Sequence, residues 1–454
     1  MGFEDILLEV PEYREFMTVD ELNESSRRLA EGYPGLVDLF QIGCSKAGEP
    51  IYALRVGDGD FKAIFIGFPH PNEPIGSLTI EFLSRKLAED DDFRRKLNFT
   101  CYFIKVADVD GVRLNEGWFK LKYDTVTHML NFYRTPGYKQ VEWTFPVNYK
   151  TLNWSKPAPE TRAIMNLIDR VKPDFLYSLH NSAFRGAYFY VSEPCPELYS
   201  KLQSLVKSQR LPLHLGEPEA PYMKKLADGV FLLSSIEKIY DFYEKHSDRD
   251  PASIINHGAS SVDYVRSVSD AFSIICEMPY IFDEKVNDNT PVSITRREAV
   301  LRSIEFSDRV FNLVNDAFNR LEVFLDDESP FYEVVLEYLK RYKPSIEAKR
   351  RWAETDKSLD RPATVAELFD NLVITKYYRL RLIGQFIRLI DDSVKRNPSL
   401  GKRLEADRRL MLKELYRLSS EIDEEADIKV IPIGKLVRVQ VGAALYAMDY
   451  VKAR

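Results

Sequence analysis

In Phe-Pro-His70-Pro-Asn-Glu73-Pro-Ile-Gly, a histidine and a glutamate stand three residues apart, a type and spacing that could do metal chemistry. Residues three apart at a helix start face the same side. An imidazole nitrogen and a carboxylate oxygen both bind a zinc-like cation, at about 2.0–2.2 Å. Two ligands from one segment leave a third to come from elsewhere, and a catalytic zinc keeps a fourth position for water. The pair alone is a weak signal, because the same spacing also arises at solvated helix starts. Its position strengthens it. His70 lies just past an apolar run, Ala63–Phe68, and ligands of open α/β sheets bind beyond the carboxyl ends of strands. Of the other histidines, His180 alone ends such a run, in Phe-Leu-Tyr-Ser-Leu-His180-Asn-Ser. Glu277 directly follows another, in Phe-Ser-Ile-Ile-Cys-Glu277-Met-Pro. A carboxylate there is costly unless it is paired, solvated in a cleft, or functional. His70 with Glu73, then His180, then Glu277, each at a separate strand end, form the pattern of a metal site with a nearby base.

The elements that must position these residues follow from periodicity. Apolar spacing predicts helices over 13–32, 74–89, 159–171 and near 196–208, the first entered near Thr18 with Thr18 or Asp20 as cap. Short apolar runs predict strands over 37–42, 50–56, 63–68, 99–106, 175–179 and 272–276. Strands alternating with helices imply an α/β fold with a mixed, mainly parallel, twisted sheet flanked by helices. Near residue 327 the character changes to charged helical sequence, punctuated by Pro344, Pro362 and Pro398, with a β tail expected over 429–433 and 436–441. We therefore expect a catalytic domain over 1–326 and a helical extension with a short β tail over 327–454. The extension could lid the cleft, mediate a homo-oligomer, or cover a sheet edge.

Composition narrows the classes. At 454 residues the chain is long enough for two domains, and 45% hydrophobic with 29% charged residues is ordinary for a globular protein. A net charge of −7 argues against a nucleic-acid partner. No secretory signal and no membrane-length apolar run is read, so a cytoplasmic protein without a membrane partner is expected. Cys44, Cys101, Cys195 and Cys276 are scattered and read as free thiols.

The order and spacing of these segments resemble the zinc carboxypeptidase family over about residues 13–325. Besides His70-Pro-Asn-Glu73 and Ser178-Leu-His180, the similar pieces are Thr18-Val-Asp-Glu-Leu, Tyr33-Pro-Gly-Leu-Val and Ile42-Gly-Cys-Ser-Lys-Ala-Gly-Glu-Pro-Ile. Val106-Ala-Asp-Val-Asp-Gly111 resembles the family's Asn-Pro-Asp-Gly segment with Asn-Pro changed, and Asp263-Tyr264 precedes the strand ending in Glu277. The resemblance implies one zinc per chain on His70, Glu73 and His180, with Glu277 as general base. It implies hydrolysis of a terminal peptide or amide bond. The Pro-Asn-Glu-Pro-Ile-Gly wording also resembles the desuccinylase and aspartoacylase branch, which would act on N-acyl amino acids. A catalytically silent zinc- or ligand-binding protein is the third reading.

The groups that would choose a substrate depart from the family. Its Asn-Arg pair is missing; Arg113, Asn115, Asn131 and Arg134 are the candidates, with Lys120 and Lys122 as further options, and Arg134 is favoured as the cation beside the metal. The stretch Ile254-Ile-Asn-His257-Gly258 lacks the family's tyrosine, leaving His257 as a candidate substrate contact and Tyr240 or Tyr243 as substitutes or core residues. Gln140–Tyr149, between the two metal motifs, reads either as a packed aromatic loop or as a wall of the substrate pocket.

Overall fold

The computed structural model describes residues 3–454. Its centre is a nine-stranded sheet. In chain order the strands are β1 (Val37–Cys44), β2 (Pro50–Val56), β3 (Phe61–Ile66), β4 (Phe99–Ile104), β5 (Phe175–Ser178), β6 (Tyr188–Val191), β7 (Lys224–Ala227), β8 (Val230–Leu232) and β9 (Phe272–Glu277). Their order across the sheet is β1-β2-β4-β3-β5-β9-β6-β8-β7. The central strands β4, β3, β5 and β9 run parallel. Antiparallel neighbours appear toward both edges. The sheet is thus mixed, and its parallel character is confined mainly to the centre.

That centre is where the chemistry-bearing strands lie. β5 and β9 are buried at every position, as strands covered on both faces must be. Because β3, β5 and β9 point the same way, their carboxyl ends emerge at one edge of the sheet. The residues that follow β3, His180 after β5, and Glu277 at the end of β9 therefore meet.

Helices cover the sheet: α1 (Val19–Gly32), α2 (Ile75–Glu89), α3 (Pro159–Val171) and α4 (Pro196–Ser208). Thr18 caps α1 in a reciprocal capping box with Glu21. Then come α5 (Arg296–Leu321), α6 (Pro330–Thr355), α7 (Thr375–Arg396), α8 (Gly401–Glu425) and α9 (Ile433–Ala453). α5, α6 and α7 pack on one another. Two expectations are corrected here. Pro344 does not break the helix; α6 runs through it, its cost of about 3 kcal/mol met by the packing of buried Val334, Val335, Leu339, Tyr342 and Trp352. The expected strand over 436–441 is helical, part of α9, and only Lys429–Val430 of the tail is strand. Leu436-Val-Arg-Val-Gln-Val alternates like a strand. Yet α9 is buried on most sides, so burial rather than local propensity decides its form.

α9 is no loose appendage. It packs against α2, α4 and β9, and the main apolar core runs without a break from the sheet into the C-terminal helices. Gln440, fully buried on α9, joins three elements. Its Nε2 donates to the His180 carbonyl at 3.0 Å and the Cys276 carbonyl at 3.3 Å, and its Oε1 accepts from Thr79 Oγ1 at 2.8 Å. The carboxyl ends of β5 and β9 and the body of α2 are thereby pinned together by one side chain. Gln440→Leu leaves those buried groups without their partner and should cost about 2 kcal/mol of stability in urea denaturation. Stability unchanged by the substitution would show that the clamp contributes nothing.

Candidate metal centre

Beyond Ile66 the chain turns sharply. Phe68 holds a φ of +49°, rare for a bulky side chain. It is fully buried and stacks on Phe119 at 5.9 Å, so packing holds the turn that carries His70 over the sheet edge. Gly76 lies in the first turn of α2. A Cβ there would sit 2.5 Å from Leu179 Cβ, so only glycine lets this helix start approach the end of β5 so closely. Asn181 fastens the two: its Oδ1 accepts from Ile75 N at 3.0 Å and its Nδ2 donates to the His180 carbonyl at 2.6 Å. The Tyr280 hydroxyl donates to the Asn72 carbonyl at 2.8 Å.

His70, Glu73, His180 and Glu277 are all buried together. The imidazole rings of His70 and His180 are 4.9 Å apart. His180 Nδ1 lies 3.0 Å from Glu73 Oε2 and 3.9 Å from Glu277 Oε1. Each group titrates according to its surroundings. Burial opposes charge on His180, but Glu73 overrides it, with Glu277 and Glu142 behind, and raises its pKa to about 9. Burial likewise opposes ionisation of Glu73, yet His180 and Arg134 hold it below the ordinary carboxylate value. His70 is pushed well below the usual histidine value by burial, then by Arg134 and His180. Burial and then Glu219 push the Glu277 carboxyl well above its usual value, against the pull of His180.

The donor set fits a divalent cation. One ligand atom from each of His70, Glu73 and His180 can be chosen so that all lie within 4.8 Å of one another. His70 Nδ1 is buried with no hydrogen-bond partner among the described residues, an arrangement a metal bond would satisfy. His180 Nε2 is already held by Ser178 Oγ at 3.0 Å, which leaves Nδ1 facing the carboxylate. Ser178 Oγ in turn lies 3.3 Å from Glu142 Oε2, and Glu142 Oε1 accepts from Ser261 Oγ at 2.6 Å. Such outer partners fix ring orientation around metals.

Arg134 reaches this group from a loop. Its Nη1 donates to Glu73 Oε1 at 2.8 Å and Asn72 Oδ1 at 3.2 Å. The loop is clamped from several sides. Thr135 Oγ1 donates to Asp108 Oδ2 at 2.6 Å. Burial raises the Asp108 carboxyl to about 7, against its bonds from Thr135 and Gly111. Asn115 exchanges two hydrogen bonds with the Tyr133 backbone, both at 3.0 Å. Arg388 on α7 donates to the carbonyls of Leu114, Asn131 and Phe132.

A cleft of about 820 Å³ opens over His70, Glu73, His180, Glu277 and Arg134, a size suited to a small ligand or peptide end. Gln140, Glu142 and Trp143 line it while Phe145 is core, so the segment over 140–149 is both a packed loop and a wall. Tyr243 also lines it and meets Ser345 Oγ at 3.0 Å; Tyr240 is a core residue. The opposite wall comes from α6 and α7, so the extension closes one side of the cleft.

Other sequence candidates lie elsewhere. Arg113 is paired with Asp20 and Glu49, each at 3.0 Å. Asn115 is a backbone clamp, and Asn131 Nδ2 bonds the Thr127 carbonyl at 2.9 Å. His257 Nδ1 meets the Gly258 carbonyl at 2.8 Å, its ring 5.4 Å from that of Trp143. Lys120 pairs with Glu15 and Glu21. Among the described residues, none of these and not Lys122 lines the cleft. Sequence reasoning missed Asn181, Tyr280 and Gln440, and the part that Ser178 and Glu142 play in holding the His180 ring. Two had a visible signal: Ser178 shares a face with His180 by strand alternation, and Asn181 adjoins it.

The family model described as zinc carboxypeptidase matches residues 22–279. No curated protein sequence matches the chain. Among solved structures, carboxypeptidase A from Helicoverpa armigera is 13% identical, over 78% of this chain and 80% of that one, with a TM-score of 0.37. A metallo-carboxypeptidase from Burkholderia cenocepacia is 15% identical, over 60% of this chain and 61% of that one, with a TM-score of 0.34. Bovine thrombin-activatable fibrinolysis inhibitor is 11% identical, over 76% of this chain and 98% of that one, with a TM-score of 0.32. The family match takes in more than half of the sequence, from α1 through β9 and every residue of the His-Glu-His cluster, and the chain belongs to the zinc carboxypeptidase family.

Proposed function

We propose that this chain is a zinc-dependent hydrolase of a terminal peptide or amide bond, with one zinc held by His70, Glu73 and His180. Family membership supports a metallopeptidase. The observation that carries the residue assignment is the buried cluster itself, in which an unpartnered His70 Nδ1, Glu73 and His180 Nδ1 converge.

Zinc, when bound, supplies a Lewis acid that activates water and polarises the scissile carbonyl. The chain's own groups do the rest. Glu277, at the rim of the same cluster, takes the proton of the attacking water and delivers it to the leaving amine. Its carboxylate oxygen lies 3.9 Å from His180 Nδ1, beside the metal ligands and facing the cleft. Arg134, held by the Thr135–Asp108 bond and the Asn115 clamp, presents a guanidinium at the cleft where negative charge develops on the carbonyl oxygen. Ser178 and Glu142 keep the His180 ring in its orientation. α6 and α7 wall the cleft, which limits the approach of substrate to its open side.

Two experiments test the reading. Metal analysis of purified protein should give about one zinc per chain, as a single catalytic site requires, and His180→Ala should lose it. Tight retention by that variant would mean that another residue supplies the third ligand. Glu277→Gln should keep its zinc and lose at least about a hundredfold in kcat on a cleaved peptide, the lower range for a general base. Undiminished turnover would remove Glu277 from the mechanism.

A further inference from the structure

The wall contributed by the C-terminal helices is unusual in its charge. Arg341 and Lys349 on α6, and Arg379 and Arg381 on α7, line the cleft together with Arg185 from the loop after β5. The Nε atoms of all four arginines are buried without a hydrogen-bond acceptor among the described residues. Buried donors of this kind normally find partners.

The acidic side chains of the cleft do not supply them. Glu219 is held by the hydroxyls of Tyr188 and Tyr190. Glu337 takes the Gly137 amide and Asn256 and pairs with Arg341 Nη1 at 3.3 Å, which leaves Arg341 Nε without an acceptor among the described residues. Asp370 accepts from Glu217 N and stands 3.6 Å from Arg185. Arg379, Arg381 and Lys349 have no carboxylate partner among the described residues. Arg379 bonds the Tyr338 hydroxyl, and Arg381 lies over the rings of Tyr378 and Phe132 at 4.4 and 4.7 Å. Those ring contacts hold the guanidinium without neutralising it. Burial, with Arg379 and Arg185 adding to it against Glu217 and Asp370, pulls the Lys349 ammonium below its ordinary pKa. Half-buried cations that line one cleft without a carboxylate partner suit an anion from outside.

We propose that Arg379, Arg381 and Lys349 form a subsite for the side-chain carboxylates of an acidic peptide, so that the enzyme acts on peptides with acidic ends. The inference rests on the hydrolase reading for the phrase "acts on". The subsite itself rests only on the cleft. Planar guanidinium groups match carboxylates in a two-pronged geometry, which favours a carboxylate over an uncharged amide of the same shape. All three cations lie beyond residue 279, outside the match to the family, so this selectivity belongs to the C-terminal helices.

Calorimetry on the full-length, zinc-loaded Glu277→Gln protein tests it, with three tetrapeptides that end in two glutamates, two glutamines or two lysines. The glutamate peptide should bind at least about tenfold more tightly than the glutamine peptide, the scale of one charge-assisted contact. The preference should shrink as salt is raised. Arg379→Gln with Arg381→Gln should abolish it while leaving the glutamine peptide's affinity in place. Arg379→Lys with Arg381→Lys, which keeps the charge, should retain part of it, and Lys349→Gln gives an independent reduction if the double variant misfolds. Equal affinities, a preference for lysine, no binding by any peptide, or a preference indifferent to these substitutions overturns the proposal. A glutamate peptide that binds with this preference but is not cleaved by the zinc-loaded wild-type protein removes the hydrolase reading and leaves the subsite standing.

Discussion

Two carboxylates, Glu73 and Glu277, are buried side by side at the carboxyl edge of the sheet, and neither can ionise there without compensating positive charge. Everything near them answers that requirement. His180 stands between them, Arg134 lies against Glu73, and His70 keeps an unpartnered nitrogen turned into the same space. A dication held by Glu73 and both imidazoles would supply that positive charge directly. Such a metal would belong to the electrostatics of the fold as well as to its chemistry.

Holding that cluster together is work shared across the whole chain. Parallel β3, β5 and β9 bring three strand ends to one edge, and Gly76 lets the start of α2 approach the end of β5. From the far end of the sequence, Gln440 pins the His180 and Cys276 carbonyls, and Arg388 secures the loop that carries Arg134. The C-terminal helices therefore support the site twice, by bracing the strand ends from behind and by walling the cleft in front. Removing them would unfasten the residues on which the proposed chemistry depends.

The fold was legible in the sequence where burial on both faces left continuous apolar runs, as in β3, β5 and β9. His70, His180 and Glu277 were legible because each ends or closely follows such a run, and Glu73 because it stands three residues from His70. Arg134 was legible only as one cation among several. Its difference from Arg113 lies in partners distant in sequence: Arg113 meets Asp20 and Glu49, whereas Arg134 meets Glu73. The sequence offers Asn115 as a substrate contact, whereas its side chain clamps the Tyr133 backbone, a task a side-chain amide does equally well. The strand expected over 436–441 failed for a related reason. Its alternation is a local signal, while the burial that makes α9 a helix comes from α2, α4 and β9 packed around it.

The most direct test of the account is an X-ray structure of the zinc-loaded protein with anomalous data collected on both sides of the zinc absorption edge. The account predicts a single anomalous peak bounded by His70, Glu73 and His180, with Glu277 close by and outside the coordination sphere. A peak elsewhere, or none at this cluster under saturating zinc, would contradict it.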